Sequence, residues 1–141
     1  MQPQLNAFIR IDEDEALAAA RRADAQRAAA RSAGAPLPPL HGVPLAHKDM
    51  FYRAGRASTC GSKILAQQVQ PLTATVLSRL DAAGAFEFGV LGMSEFAYGV
   101  TGHNQHYGDV GNPWNPAHVT GGSSSGSAAS VAACANFAAL G

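Results

Sequence analysis

Cysteine, lysine and net charge are all scarce in this sequence of 141 residues. There are two cysteines, only two of the ten basic side chains are lysines, and ten acidic side chains cancel the basic ones. Without a basic surplus there is no field to draw nucleic acid or anionic lipid, so no direct nucleic-acid partner is expected. No apolar run approaches the length of a membrane span. The opening "MQPQLNAFIRIDEDE" lacks the basic flank and apolar core of a signal peptide, so a cytoplasmic chain is expected. Cys60 and Cys134 have no CxxC spacing and no export signal beside them, and free buried thiols are expected rather than a disulfide or a metal site. Of the histidines His41, His47, His103, His106 and His118, only "HNQH" forms a close pair, without a third ligand nearby, so polar loop histidines and no metal are expected.

What is present suits one globular unit: 47% of residues are hydrophobic and 14% charged. "DEDEALAAARRADAQRAAARSAG" opens on four acids, Asp12 to Glu15, and closes on Arg27 and Arg31 before Gly34, the charge order a helix dipole favours. "APLPPLHG" is an extended connector fixed by its prolines. "VPLAH" reads as a short buried strand, "TATVLSRLDAAG" as a helix burying Val76, Leu77 and Leu80 and closing at Gly84, and "AFEFGVL" as a second strand. Strand, helix and strand in that order predict an α/β fold, a sheet covered by helices. "SAASVAACANFAAL" predicts a small-residue helix, with "NFAAL" leading into a strand.

The stretch "TGGSSSGSAAS", from Thr120 to Ser130, sets several hydroxyls on a backbone free of bulk. A phosphate-binding P-loop fails on Ser127, which stands where the lysine must be. The G-x-S-x-G nucleophile elbow is met literally by residues 122–126, but turn-rich coil precedes it and no Asp, Glu or His follows Gly126. A flexible linker would not run straight into a helix. The remaining reading joins this loop to Lys48 at the end of the "VPLAH" strand. A buried ammonium is costly; it pairs with a carboxylate such as Asp49, reaches to water, or loses its charge. A neutral amine beside serine hydroxyls can take a proton from a serine nucleophile without any histidine.

"HGVPLAHKDMFYRAGRASTCGSKIL", "GMSEFAYG", "NPWNP" and "GGSSSGSAASVAA" resemble, in order and spacing, the amidase signature family of serine hydrolases over nearly the whole chain. The resemblance implies a mixed β-sheet core with helices on both faces, of which residues 1–141 would form about the first third. It implies a catalytic Ser, cis-Ser and Lys, with Lys48 as the base and Ser123, after a cis peptide, as the bridging serine. Ser124 would support the hydrogen-bond network, Gly121 and Gly122 would let the loop close against substrate, and Met93 would lie on the substrate side. The expected reaction is acyl transfer from a small-molecule amide, with no cofactor, and a homodimer of the full-length protein is a candidate assembly.

In similar proteins the nucleophile sits about two dozen residues beyond the bridging serine, past Gly141, and more helical sequence precedes a segment like "LNAFI". A domain truncated before its nucleophile and short at its N-terminus is therefore expected, inactive by itself. Within the family the alternative is the amidotransferase A subunit that works in Asn/Gln-tRNA formation, although "KDM", "LGMSEFAYG" and "HNQHYG" look more like stand-alone amidases. Outside it, the alternative is a non-catalytic remnant that binds.

Overall fold

The computed structural model describes residues 2–141. Four strands make one mixed sheet: β1 (Phe8–Ile11), β2 (Pro44–Lys48), β3 (Phe86–Leu91) and β4 (Ala139–Leu140), in the order β1-β3-β2-β4. β1 runs antiparallel to β3, while β3 and β4 both run parallel to β2. Helix α2 (Glu13–Ala33) follows β1, after the single turn α1 (Gln2–Leu5). Helix α3 (Thr75–Ala82) precedes β3, and α4 (Ser125–Ala132) precedes β4. Parallel neighbours need crossovers, and the long β2–β3 excursion carrying α3 supplies one.

Side chains alternate along β2, which divides the chemistry between the faces of the sheet. Ala46 points to the core formed with Leu5, Ala7, Phe8, Leu91, Val110 and Ala129, and α4 lies on this side. Leu45 and His47 point the other way, towards Leu77 and Leu80 of α3. Small residues let the α4 backbone sit directly on the sheet: the Gly126 amide donates to the Gly92 carbonyl at 2.9 Å, and the Gly92 amide donates to the Ala7 carbonyl at 2.8 Å. Helices on both faces of a mixed sheet are as expected from the sequence.

Some expectations change. Helix α4 stops at Ala132 because Cys134 takes a left-handed φ of +55°, so "NFAAL" reaches β4 through a turn rather than a continued helix. Asp12 stands at the start of α2, where its carboxylate is bound by Arg10 and Arg56. The thiols are not both buried: Cys134 is exposed, and Cys60 is half-buried, its thiol pushed up by burial and by Asp49. Nor are all the histidines loop groups, since His47 is buried within β2. His103 and His106 face separate carboxylates, Asp109 at 2.7 Å and Glu95 at 2.9 Å. Among the described residues no helix is long and apolar enough to cross a membrane.

The α3 side of the sheet carries an ion-pair network centred on Glu87. Arg53 Nε is 2.8 Å and His47 Nε2 3.2 Å from Glu87 Oε2, and Arg53 reaches on to Asp81. Burial alone would raise the Glu87 carboxyl, but the His47 ring and the Arg53 guanidinium outweigh it and hold it at about 2. A carboxylate lowered on folding stabilises the fold fully above its ordinary value of 4.5, and that stability is lost as pH falls towards about 2. Melting midpoints measured from pH 6 down to pH 2 are therefore expected to fall, with on the order of 3 kcal/mol lost through Glu87. Glu87→Gln should flatten this slope, and an unchanged slope would show that Glu87 does not drive it.

Candidate active site

Lys48 is the last residue of β2, in register with Leu91 at the end of β3, so it stands where parallel strands of an open sheet present their carboxyl ends. It is only 4% exposed. Its Nζ lies 2.7 Å from Ser123 Oγ and 2.8 Å from Ser124 Oγ. Asp49 does not pair with it. That carboxylate turns into the 58–61 loop, where it accepts the Thr59 and Gly61 amides and the Thr59 hydroxyl. With no carboxylate beside it among the described residues, burial lowers the Lys48 amine from its ordinary 10.5. An amine so placed gives up its charge more readily and can then accept a hydroxyl proton.

The serine loop is held by contacts that only glycine permits. The Gly122–Ser123 peptide is cis, and the Ser123 carbonyl accepts the Ser94 amide at 3.1 Å. A Cβ on Gly122 would stand 2.8 Å from Ser94 Oγ and 2.9 Å from the Gly102 nitrogen. At Gly121 there is room, its would-be Cβ meeting only the Val100 carbonyl at 3.9 Å; there a φ of +86°, not crowding, calls for glycine. Ser124 occupies the N-cap position of α4 yet makes no capping bond, because its hydroxyl is turned to Lys48. No strand precedes the loop, so the nucleophile-elbow arrangement is absent.

Met93 does not line an open surface. It is 1% exposed, packed where a Cβ on Gly61 would touch its side chain. Sequence reasoning missed its partner Asn104, which donates to the Gly61 and Met93 carbonyls, both at 2.8 Å, and accepts the His106 and Tyr107 amides. This one amide ties the loop after β2, the loop after β3 and the 104–108 turn together behind the site. The signal is an asparagine inside the "HNQHYG" turn, a residue type that bonds backbone in turns. Asn104→Ala is expected to cost about 3 kcal/mol, because it leaves buried carbonyls without donors. A shift of the urea midpoint in the whole protein would measure it.

The Amidase family profile matches residues 1–141. The A subunit of glutamyl-tRNA(Gln) amidotransferase from Azoarcus sp. (strain BH72) is 56% identical over 131 residues, 93% of this chain and 26% of that protein. The native peptide amidase from Stenotrophomonas maltophilia superposes with a TM-score of 0.79 at 37% identity, over 97% of this chain and 28% of that one. A structure described as a vestigial protein complex, revealing the origins of an s-triazine catabolic enzyme, gives a TM-score of 0.86 at 40% identity, over 95% and 29%. The chain thus spans about a quarter of the length of the curated relatives it matches.

Proposed function

Since the chain belongs to the amidase family, we propose that it carries the proton-relay part of an enzyme that cleaves a carboxylic amide C–N bond by Ser-Ser-Lys acyl transfer. The observation that supports this most is the 2.7 Å contact between Ser123 Oγ and a buried Lys48 amine that no carboxylate keeps charged. In this reading the attacking oxygen belongs to a serine outside residues 1–141. As that oxygen bonds to the amide carbon, its proton passes through Ser123 to Lys48. The same proton then goes to the departing nitrogen as the C–N bond breaks, leaving an acyl-enzyme. Water releases the acid by the reverse relay. Ser124 holds the amine on its other side, so that Nζ stays aimed at Ser123.

The test is the whole protein with a panel of aryl and aliphatic amides, following acid and amine release. Hydroxylamine should divert the acyl-enzyme to a hydroxamate. No turnover and no hydroxamate on any amide would favour a non-catalytic, binding role instead.

A second reading has its own support, because the A subunit from Azoarcus sp. is 56% identical to this chain and the peptide amidase 37%. The chemistry at Lys48 is the same in both. They part on the fate of nitrogen: glutamine cleavage stimulated by glutamyl-tRNA(Gln), with the amide appearing on the tRNA, identifies an amidotransferase. Release of free ammonia indifferent to tRNA identifies a stand-alone amidase.

A further inference from the structure

His47 takes no part in the path from Ser123 to Lys48, yet it is 4% exposed and in contact with the residue that carries the amine. Its Nδ1 lies 3.0 Å from the Lys48 carbonyl oxygen and its Nε2 3.2 Å from Glu87 Oε2. Both partners are oxygens that only accept. The Nε2 approach is off the line of a hydrogen bond but within ion-pair range. The Phe51 ring meets the imidazole edge-on, at 6.3 Å between centroids. The charged groups around the ring are Glu87 on β3, Arg53 from the loop after β2 and Asp81 of α3 behind it. Arg10 of β1 stands 3.7 Å from Glu87, and the Lys48 amine lies across the sheet.

We propose that His47 is a positioning residue for Lys48: Nδ1–H holds the Lys48 carbonyl while Glu87 holds the ring, so that the end of β2 keeps the amine aimed at Ser123 and Ser124. The Lys48 carbonyl is the pivot where strand becomes loop, already accepting the Met50 amide at 2.7 Å and the Phe51 amide at 3.2 Å. A ring bearing two protons can donate through Nδ1 to the Lys48 carbonyl and at the same time present its charge to Glu87. When it loses one, the proton on Nε2 is retained, because the Glu87 charge 3.2 Å away repels a lone pair there more than a carbonyl dipole does at Nδ1. The ring then presents a lone pair to the Lys48 carbonyl, and the clamp opens at the lysine end. The effect on turnover rests on the amide-cleaving reading of Lys48; the clamp does not.

The experiment uses the whole protein, labelled with ¹⁵N-histidine and ¹³C-lysine, and follows the His47 ring and Lys48 Cε by NMR across pH. In the unmutated protein, Lys48 Cε is expected to shift in step with proton loss from the His47 ring, separately from its own titration. In His47→Leu the loosened strand end admits water, and the Lys48 titration should move back towards 10.5. His47→Asn places an amide donor where Nδ1 was, and should keep Lys48 near its original titration while abolishing the ring-linked step. On any amide that is cleaved, His47→Leu should lower kcat about ten- to a hundred-fold with little change in KM, and His47→Asn should recover most of it. A Lys48 signal silent through the ring titration, or an Asn variant no better than Leu, overturns the proposal. A merely structural His47 would lower the melting midpoint in both variants without moving the Lys48 titration. If no amide is cleaved but Lys48 still follows the ring, the positioning role stands and the amidase reading falls.

Discussion

Lys48→Ala in the whole protein is expected to lower amide turnover by about 10²- to 10⁴-fold, the usual worth of a positioned general base. KM should change little, because Nζ meets Ser123 and Ser124 rather than an open substrate surface. The loss should not come from unfolding. A buried amine without a carboxylate partner costs stability in its charged form, so its removal should leave the melting midpoint near or above that of the parent. The pH dependence has a definite sign. The amine acts only when neutral, so the rate should rise with pH and level off below the ordinary lysine value of 10.5, since burial lowers the amine. Ser123→Ala should be comparably damaging, and the double variant scarcely worse than either single, because in the proposed relay the two groups act together. Near-full turnover by Lys48→Ala at neutral pH would end the relay assignment.

Gly126→Ala is expected to be the most destabilising small substitution in the chain. A Cβ there would lie 2.5 Å from the Gly92 nitrogen and 2.7 Å from its carbonyl oxygen, with the Ala7 carbonyl nearer still. All three obstacles are backbone, held in the hydrogen bonds that join α4 to β3 and β3 to the segment before β1. None can turn aside as a side chain would, so α4 must lift from the sheet. About 3 kcal/mol or more should be lost. Lifting α4 also draws Ser123 and Ser124 away from Lys48, so turnover should fall along with the melting midpoint. A variant that melts like its parent would show that the helix does not rest on the sheet through this residue.

The order of charges at its ends marks α2 in the sequence, and continuous apolar runs mark β2 and β3. Strand β1 is not visible there: "FIRI" is four residues ending in an exposed isoleucine, and it is a strand because the edge of β3 is there to pair with. The end of α4 is hidden for a different reason, because alanine recurs past Ala132, at 133 and 135, and only the backbone of Cys134 breaks the helix. Lys48 and Ser123 are joined in the sequence only by a family resemblance, since no spacing rule brings together residues 75 positions apart. Met93 lies on the expected segment, but the turn after β3 aims its side chain inward. His47 carries a local signal of its own. One histidine in an apolar strand and one glutamate in another, "VPLAH" and "AFEFGVL", are each too costly to bury alone, so each calls for a partner.

The distance along the chain between Lys48 and Ser123 also bears on the order in which the protein forms. Bringing them together closes a loop of 75 residues, and β4 joins β2 from farther still, His47 pairing with Leu140. Closures of this length cost chain entropy before they return any contact, and parallel pairings are slow for that reason. Until α4 docks on the sheet, Lys48 is an ordinary solvated ammonium at the end of a strand and the serines are ordinary hydroxyls. On the amide-cleaving reading, a chain in which α4 has not docked therefore carries Lys48 and Ser123 without the contact that joins them.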